Sequence, residues 1–461
     1  MTTQQPLGEI AEIVRGISFP KEAKSLEPRS GDVACLRTTN VQRVVEWDDL
    51  WFVPSEHVKR TEQFVQPGDI LISTANSYEL VGKVALVSAV PRQATLGAFI
   101  SLIRARPGVD PRFLYHQLAW GRTQSRIRET ASTTTNISNV STKKLAALQL
   151  DVPPLYDQRR IVAELEKQFS RIDEAVVNLK RVKANLKRYK AAVLKAAVEG
   201  RLVPTEAELA RRRGCQAEAA TQFLQRIRDT RSRLWKGKGK YKEPLLVDPT
   251  DLPSLPEGWV WVNLEQVAVA EKHALKAGPF GSALKKEHYS VSGYKVYGQE
   301  QVIRRDHRFG AYFIDQEKYH ELESCAIKPG DLLLSLVGTA GKVLVLPDDA
   351  APGIINPRLL KLSLNSSFIS PSYAAYVLQS SWAAQFFKAQ AHGGTMEILN
   401  LGIVKALAVP LPPLAEQQRI VTEIQRLLSI ADEVETAVDL SLTRARSLER
   451  STLQHVFRGR T

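Results

Sequence analysis

Cysteine is scarce in this chain of 461 residues. Cys35, Cys215 and Cys325 are odd in number and far apart, which excludes a disulfide framework or a zinc spacing and fits a reducing compartment. The eight histidines show no ligand spacing with cysteine or carboxylates, so no metal site is expected. No apolar run approaches the ~20 residues a membrane span needs, and Met1-Thr2-Thr3-Gln4-Gln5 lacks the pattern of a signal peptide. A cytoplasmic protein without membrane contact is expected. Negative charge is also in deficit: 49 acidic residues stand against 63 Lys and Arg, a formal net charge of +14. Neutralising phosphates with Lys and Arg releases counterions, so this balance points to a polyanionic partner. The positive charge is dense at Arg122, Arg126 and Arg128, from Lys180 to Lys190, from Arg226 through Lys242, and at Arg304, Arg305 and Arg308, where His307 could also meet phosphate.

Catalytic motifs are missing as well. An amino-methyltransferase holds its target amine with an Asp/Asn-Pro-Pro-aromatic loop, whereas the two Pro-Pro pairs here follow Val152 and Leu411. Gly338-Thr339-Ala340-Gly341-Lys342-Val343 resembles a phosphate loop only superficially, because Leu336 stands where the first Gly belongs and Val343 replaces the magnesium-binding Ser/Thr. No nucleophile and base can be paired. The chain is expected to be non-catalytic and to bind no cofactor.

What is present is a repeat. Pro153-Pro154-Leu155-Tyr156-Asp157-Gln158-Arg159-Arg160-Ile161-Val162 returns 259 residues later as Pro412-Pro413-Leu414-Ala415-Glu416-Gln417-Gln418-Arg419-Ile420-Val421, and the ungapped window from Pro153 to Glu174 holds 11 identities in 22 positions. So long a period marks a duplicated module with internal pseudo-two-fold symmetry, not a solenoid. Each Pro-Pro pair ends what precedes it, and Asp157 or Glu416 places a carboxylate in a helix's first turn. Leu165, Ile172, Leu179, Leu186 and Val193 then recur every seven residues, an a/d seam made polar at Lys183 and Lys190. The second copy continues it with Ile424, Leu427, Ala431, Val434, Val438 and Leu448. Each run predicts a rod of about 60 Å that buries its stripe against the other as an antiparallel pair.

The flanking regions match more faintly. Gln66-Pro67-Gly68-Asp69-Ile70-Leu71 pairs with Lys328-Pro329-Gly330-Asp331-Leu332-Leu333, a turn feeding a buried strand, and Gly82-Lys83-Val84 pairs with Gly341-Lys342-Val343. The expected fold is α/β (α+β): a first domain over 1–152, a long coiled-coil helix over 153–200, a basic linker with a helix from Glu206 to Arg233 over 201–258, a second domain over 259–411 and a second long helix over 412–458.

With this layout the chain resembles the specificity subunit of type I restriction-modification systems. The resemblance rests on the two Pro-Pro-Leu-x-(Asp/Glu)-Gln helix starts, on Leu194-Lys195-Ala196-Ala197-Val198-Glu199-Gly200-Arg201-Leu202, on Leu255-Pro256-Glu257-Gly258-Trp259, and on Gly278-Pro279-Phe280-Gly281-Ser282. The first domain lacks a Gly-Trp start and a Gly-Pro-Phe-Gly-Ser loop. The resemblance implies two target recognition domains that each read half of a split, asymmetric site on double-stranded DNA. It also implies two methyltransferase subunits docked on the helix pair and nuclease-translocase subunits joining them, with S-adenosylmethionine, ATP and Mg on those partners. Base readout needs paired donors and acceptors on loops. Candidates are Arg37, Thr38, Asn40, Asn76, Tyr78 and Asn136 in the first domain, and Phe280, Ser282, Lys285, Tyr297, Gln299, Arg304, Arg305 and Thr395 in the second. Arg37 to Asn40 and Tyr297 to Gln301 each lie about thirty residues before a Pro-Gly-Asp turn and are expected to be equivalent loops. Candidate partner-binding positions are Gln158, Arg160, Leu179, Leu186, Gln417, Arg419 and Val438. Two other classes remain open, a self-sufficient modification enzyme and a coiled-coil DNA-binding scaffold.

Overall fold

A run of three apolar residues with no polar break, Ile70-Leu71-Ile72, suits a strand covered on both faces. In the computed structural model, which describes residues 2–134, 137–235, 240–338, 341–390 and 399–458, it lies inside a four-stranded antiparallel sheet ordered Ala11–Arg15, Ile100–Ala105, Ile70–Ser73, Val84–Leu86. Ile70, Ile72 and Ile103 enter one core with Leu114 and Leu118 of the helix Pro111–Ala119, while Leu71 and Leu102 point into another. The turn before the strand follows from its residues. Gly68 adopts φ +91° and the Asp69 carboxylate accepts the backbone N–H of Gln66 at 2.7 Å. Gly330 (φ +84°) and Asp331, which accepts from Lys328 N at 2.9 Å, repeat it.

The chain divides into two compact units, residues 1–181 with 438–461 and residues 182–437. The first contains the sheet above and a three-stranded sheet in which Asp32–Leu36 pairs antiparallel with Trp51–Pro54 and parallel with Ala94–Leu96. Thr3–Pro6 pairs with Gln149–Val152, the strand that runs into the first long helix. The second repeats the plan. Its main sheet is ordered Leu275–Ala277, Leu359–Leu362, Leu332–Ser335, Val343–Val345; its small sheet joins Tyr294–Tyr297 to Phe313–Ile314 and, in parallel, to Gly353–Ile355; and Val260–Asn263 pairs with Ala408–Leu411.

The long helices run Leu155–Val198 (44 residues) and Leu414–Arg458 (45 residues), and each is shared between the two units. In the first unit Ile161, Val162 and Leu165 pack with Leu453, Val456 and Phe457. In the second Val193, Ala197 and Val198 share a core with Ile420 and Ile424. The start of one helix meets the end of the other in both units, so the pair is antiparallel. Leu165, Ile172, Val193, Ile424, Ala431 and Val438 are buried, Leu179 and Leu186 half-buried, and Val434 and Leu448 exposed. Lys190 answers the polar seam position: its ammonium meets Asp432 at 2.5 Å and Glu435 at 2.6 Å.

Segment 201–258 differs from the single helix the sequence suggested. Helix Glu206–Arg212 stops where Gly214 takes φ +70°, and a second helix runs Ala220–Arg233. Phe223 and Ile227 enter the core of the second unit and Arg231 is buried with its guanidinium on the Ala268 carbonyl, so this stretch is part of that unit's body.

Candidate nucleic-acid interface

In each unit two backbones cross at van der Waals contact, and the crossing is built by the same hydrogen bonds. Gly16 N donates to Ile100 O (3.0 Å), Ile100 N to Gly97 O (3.0 Å) and Gly97 N to Leu36 O (3.0 Å). In the second unit Gly278 N donates to Leu359 O (2.9 Å), Leu359 N to Asn356 O (3.1 Å) and Asn356 N to Tyr297 O (2.8 Å). A Cβ on Gly16 would stand 2.2 Å from the Gly97 carbonyl oxygen, and one on Gly278 1.9 Å from that of Asn356, so only glycine fits. Gly16-Ile17-Ser18-Phe19 is therefore the first domain's counterpart of Gly278-Pro279-Phe280-Gly281, hidden in the sequence because only the glycine is shared.

The turns after Leu36 and Tyr297 also correspond. Asn40 Oδ1 accepts from Arg37 N (2.7 Å) and its amide donates to the carbonyls of Glu46 and Asp49 (2.9 Å each). Gln301 Oε1 accepts from Gly298 N (2.9 Å) and its amide donates to Phe309 O (2.8 Å). The matched segments are Arg37–Asn40 and Gly298–Gln301.

Beside each crossing lies a groove. The first, about 520 Å3, is lined by Phe19, Lys21, Lys24, Arg37, Thr38, Trp51 and Phe99. The Lys24 ammonium lies 4.1 Å and the Arg37 guanidinium 4.7 Å from the Trp51 ring centroid, and Arg37 also pairs with Asp49. The second, about 210 Å3, is lined by Tyr289, Gly298, Gln301, Tyr312, Asn356 and Arg358. Trp51 stands opposite Cys35 on the neighbouring strand, and Tyr312 accepts the N–H of Val296. These aromatics thus hold corresponding places, reached across loops of equal length, 37–50 and 298–311, whose residues differ.

The expected readers scatter across these surfaces. Arg37 and Thr38 line the first groove. Asn40, 1% exposed, closes the turn from within and is not free to meet a base. Asn76 is half-buried on the short strand Ala75–Asn76, with its amide on Ser73 Oγ (3.2 Å), and Tyr78 is exposed beyond it. Phe280, Ser282 and Lys285 are exposed. Tyr297 is 0% exposed; its hydroxyl donates to Ala351 O (2.8 Å) and burial pushes its pKa up to about 12, so it belongs to the core. Gln299 donates to Ser335 Oγ (2.8 Å) and receives Arg358 at 3.4 Å. Arg304 lies 4.1 Å from the Phe309 ring centroid, and Arg305, at φ 55°, lines a separate basic groove with Lys342 and Lys388. Asn136 and Thr395 lie outside the described residues.

On the helices, Gln158 and Gln417 are 1% and 0% exposed and hold domain to helix. Gln158 accepts from Asp110 N (2.8 Å) and donates to Gly108 O (3.2 Å) and Pro153 O (2.8 Å). Gln417 accepts from Ser370 N (2.8 Å) and donates to Phe368 O (2.7 Å) and Pro412 O (2.9 Å). Both are internal ties, not docking surface. Arg419 pairs with Glu206 and Arg160 with Asp157 (3.1 Å). Leu179, Leu186 and Val438 lie along the seam, whereas Val177, Val182, Tyr189, Ile430 and Leu440 are exposed apolar positions that the seam reading passed over. Among the described residues no group of three or more His, Cys, Asp or Glu is placed to hold a metal, and no helix is long and apolar enough to cross a membrane.

Comparison with known proteins places these observations. The family described as the type I restriction modification DNA specificity domain matches residues 3–180 and again 256–444. The chain is 24% identical to the StySPI specificity subunit of Salmonella potsdam over 98% of its own length and 88% of the relative's. It is likewise 24% identical to the EcoKI specificity subunit of Escherichia coli K12, with the same coverage. Among solved structures the fold is similar to a chain of a type I R-M system (TM-score 0.64, 17% identity, 100% of this chain and 98% of that one). It is also similar to the HsdS subunit from Thermoanaerobacter tengcongensis (TM-score 0.54, 17% identity, 100% and 97%). Matched through both of its recognition domains, the chain belongs to the family of type I restriction-modification DNA specificity subunits.

Proposed function

We propose that this chain is the non-catalytic reading head of a methyltransferase and restriction complex, acting in the cytoplasm on a bipartite, asymmetric site in double-stranded DNA. The observation that carries this reading is one loop crossing and one groove built twice with different side chains: Trp51, Lys24 and Arg37 in one domain, Tyr312, Gln299 and Arg358 in the other. Equal scaffolds with unequal readers suit two unlike short elements, about one helical turn apart centre to centre. The exposed apolar positions of the long helices supply surface for two methyltransferase subunits, to which nuclease-translocase subunits add. S-adenosylmethionine, ATP and Mg belong to those partners, and this chain binds none of them. A self-sufficient enzyme lacks motif support, and a bare scaffold leaves both grooves without a role.

The test is to express the chain with its methyltransferase partner and map methylated positions by long-read sequencing. A split motif with two different elements is expected. A contiguous motif, or DNA affinity insensitive to salt, would overturn the reading.

A further inference from the structure

Each crossing carries an exposed phenylalanine, and the two occupy opposite arms of it. Phe99 lies two residues after Gly97 and is 62% exposed. Phe280 lies two residues after Gly278, on the other arm, and is 87% exposed. The correspondence is fixed by hydrogen bonds: Thr74 N donates to Phe99 O (2.9 Å), as Leu336 N donates to Arg358 O (3.0 Å), so Arg358 stands where Phe99 stands in the first domain. Ser18 likewise takes the place of Phe280. Each domain thus carries one exposed phenylalanine two residues from the glycine of an arm of its crossing, and Phe99 also lines the first groove. In the first the ring is accompanied by Lys21, Lys24 and Arg37, and in the second Arg358 stands on the facing arm.

A phenylalanine left in water forgoes the gain of burial. An exposed phenyl ring near basic side chains suits a partner that offers a phosphate backbone outside and a flat apolar slot within. A base-pair step is such a partner, and Phe side chains that enter a step unstack it and kink the duplex. We propose that Phe99 and Phe280 are wedges that enter the base stack, one in each half of the bound site, and so begin the distortion that lets the partner extrude its target base. This rests on the DNA-reading function proposed above. The rings stand on different arms of one crossing, so the two wedges enter at different offsets from the bases their grooves read.

The experiment uses the full chain in complex with its methyltransferase and duplexes carrying the mapped motif. 2-Aminopurine, whose emission rises on unstacking, replaces one base at a time and never the base that is methylated. Wild type should brighten at one step in each element. Phe99→Ala should abolish the signal in the first element alone and Phe280→Ala in the second alone, each weakening binding by roughly ten- to a hundredfold. Phe99→Leu and Phe280→Leu, still apolar wedges, should retain most of the signal. Specific binding by wild type without local brightening overturns the wedge and leaves the reading function intact. Brightening that survives both alanine variants does the same. Failure of the wild-type complex to bind the mapped duplex removes both.

Discussion

The two units share a plan but differ in what covers it. In the second, Val260–Asn263 carries Val-Trp-Val, Val260 and Val262 are buried, and the helix Ala220–Arg233 packs on this strand through Phe223 and Ile227. In the first, the corresponding strand reads Thr3-Gln4-Gln5-Pro6, and its first two residues are exposed. A duplicated fold therefore did not keep a duplicated surface. The strand that a helix covers carries apolar residues, and the strand whose first two residues are exposed carries polar ones. Segment 201–258, basic in composition and linker-like on paper, does the work of a fold element on one side only.

That asymmetry can be broken from one side. Phe223→Ala should destabilise the second unit by about 3–5 kcal/mol while the first keeps its protection, which hydrogen exchange measured by mass spectrometry would separate. Equal loss in both units would mean that the helix does not belong to the second alone. Leu179→Pro acts on what the units share: a proline inside the first long helix costs about 3 kcal/mol or more and should abolish methylation. Full activity would refute the role given to that helix.

The tie between domain and helix is the feature the units share most closely. Gln158→Ala and Gln417→Ala each leave one N–H and two carbonyls without their partner, a loss of about 3 kcal/mol. The two variants should lower melting temperature alike. Unlike effects would show that similar bonds stand in different surroundings.

His116 sharpens the contrast in a smaller way. It is the sixth residue of the helix Pro111–Ala119, where Pro371–Gln379 has Tyr376. It is buried with its ring 5.5 Å from that of Phe169, and burial, aided by Arg112, lowers its pKa to about 4. A base whose folded pKa lies below its ordinary 6.5 contributes stability that is present above about pH 6.5 and lost as pH falls toward 4. The first unit should lose about 2 kcal/mol between pH 7 and pH 5. His116→Tyr, which installs the second unit's residue, should flatten that slope. Thermal melts at the two pH values are the check, and an unchanged slope would assign the acid sensitivity elsewhere.

Much of the frame was legible in the sequence because its signals are local. A Pro-Pro pair, a Pro-Gly-Asp turn and a heptad seam each fix their own backbone. The interface was less so. Asn40 and Tyr297 look like readers in a polar motif, but whether an amide faces a base or closes its own turn depends on residues such as Glu46 and Asp49 that fold back over it. Gln158 and Gln417 are polar residues in the first turn of a long helix and are buried because another loop lies across them. Trp51, Phe99 and Arg358 carry no motif, and it is strand pairing between distant segments that brings them to the grooves.

One buried carboxylate bears on how this protein can exchange parts with its relatives. Glu416 accepts the N–H of Glu206 at 2.8 Å and the indole N–H of Trp259 at 3.0 Å, joining three stretches separated by up to 210 residues. A gene junction falling between them would hand down a desolvated acid, its pKa already raised by burial, without its matching donors. Inheritance of a new second specificity should therefore proceed in blocks that begin before Glu206 and end after Glu416. Chimeras cut inside that span should be recovered less often than those cut outside it.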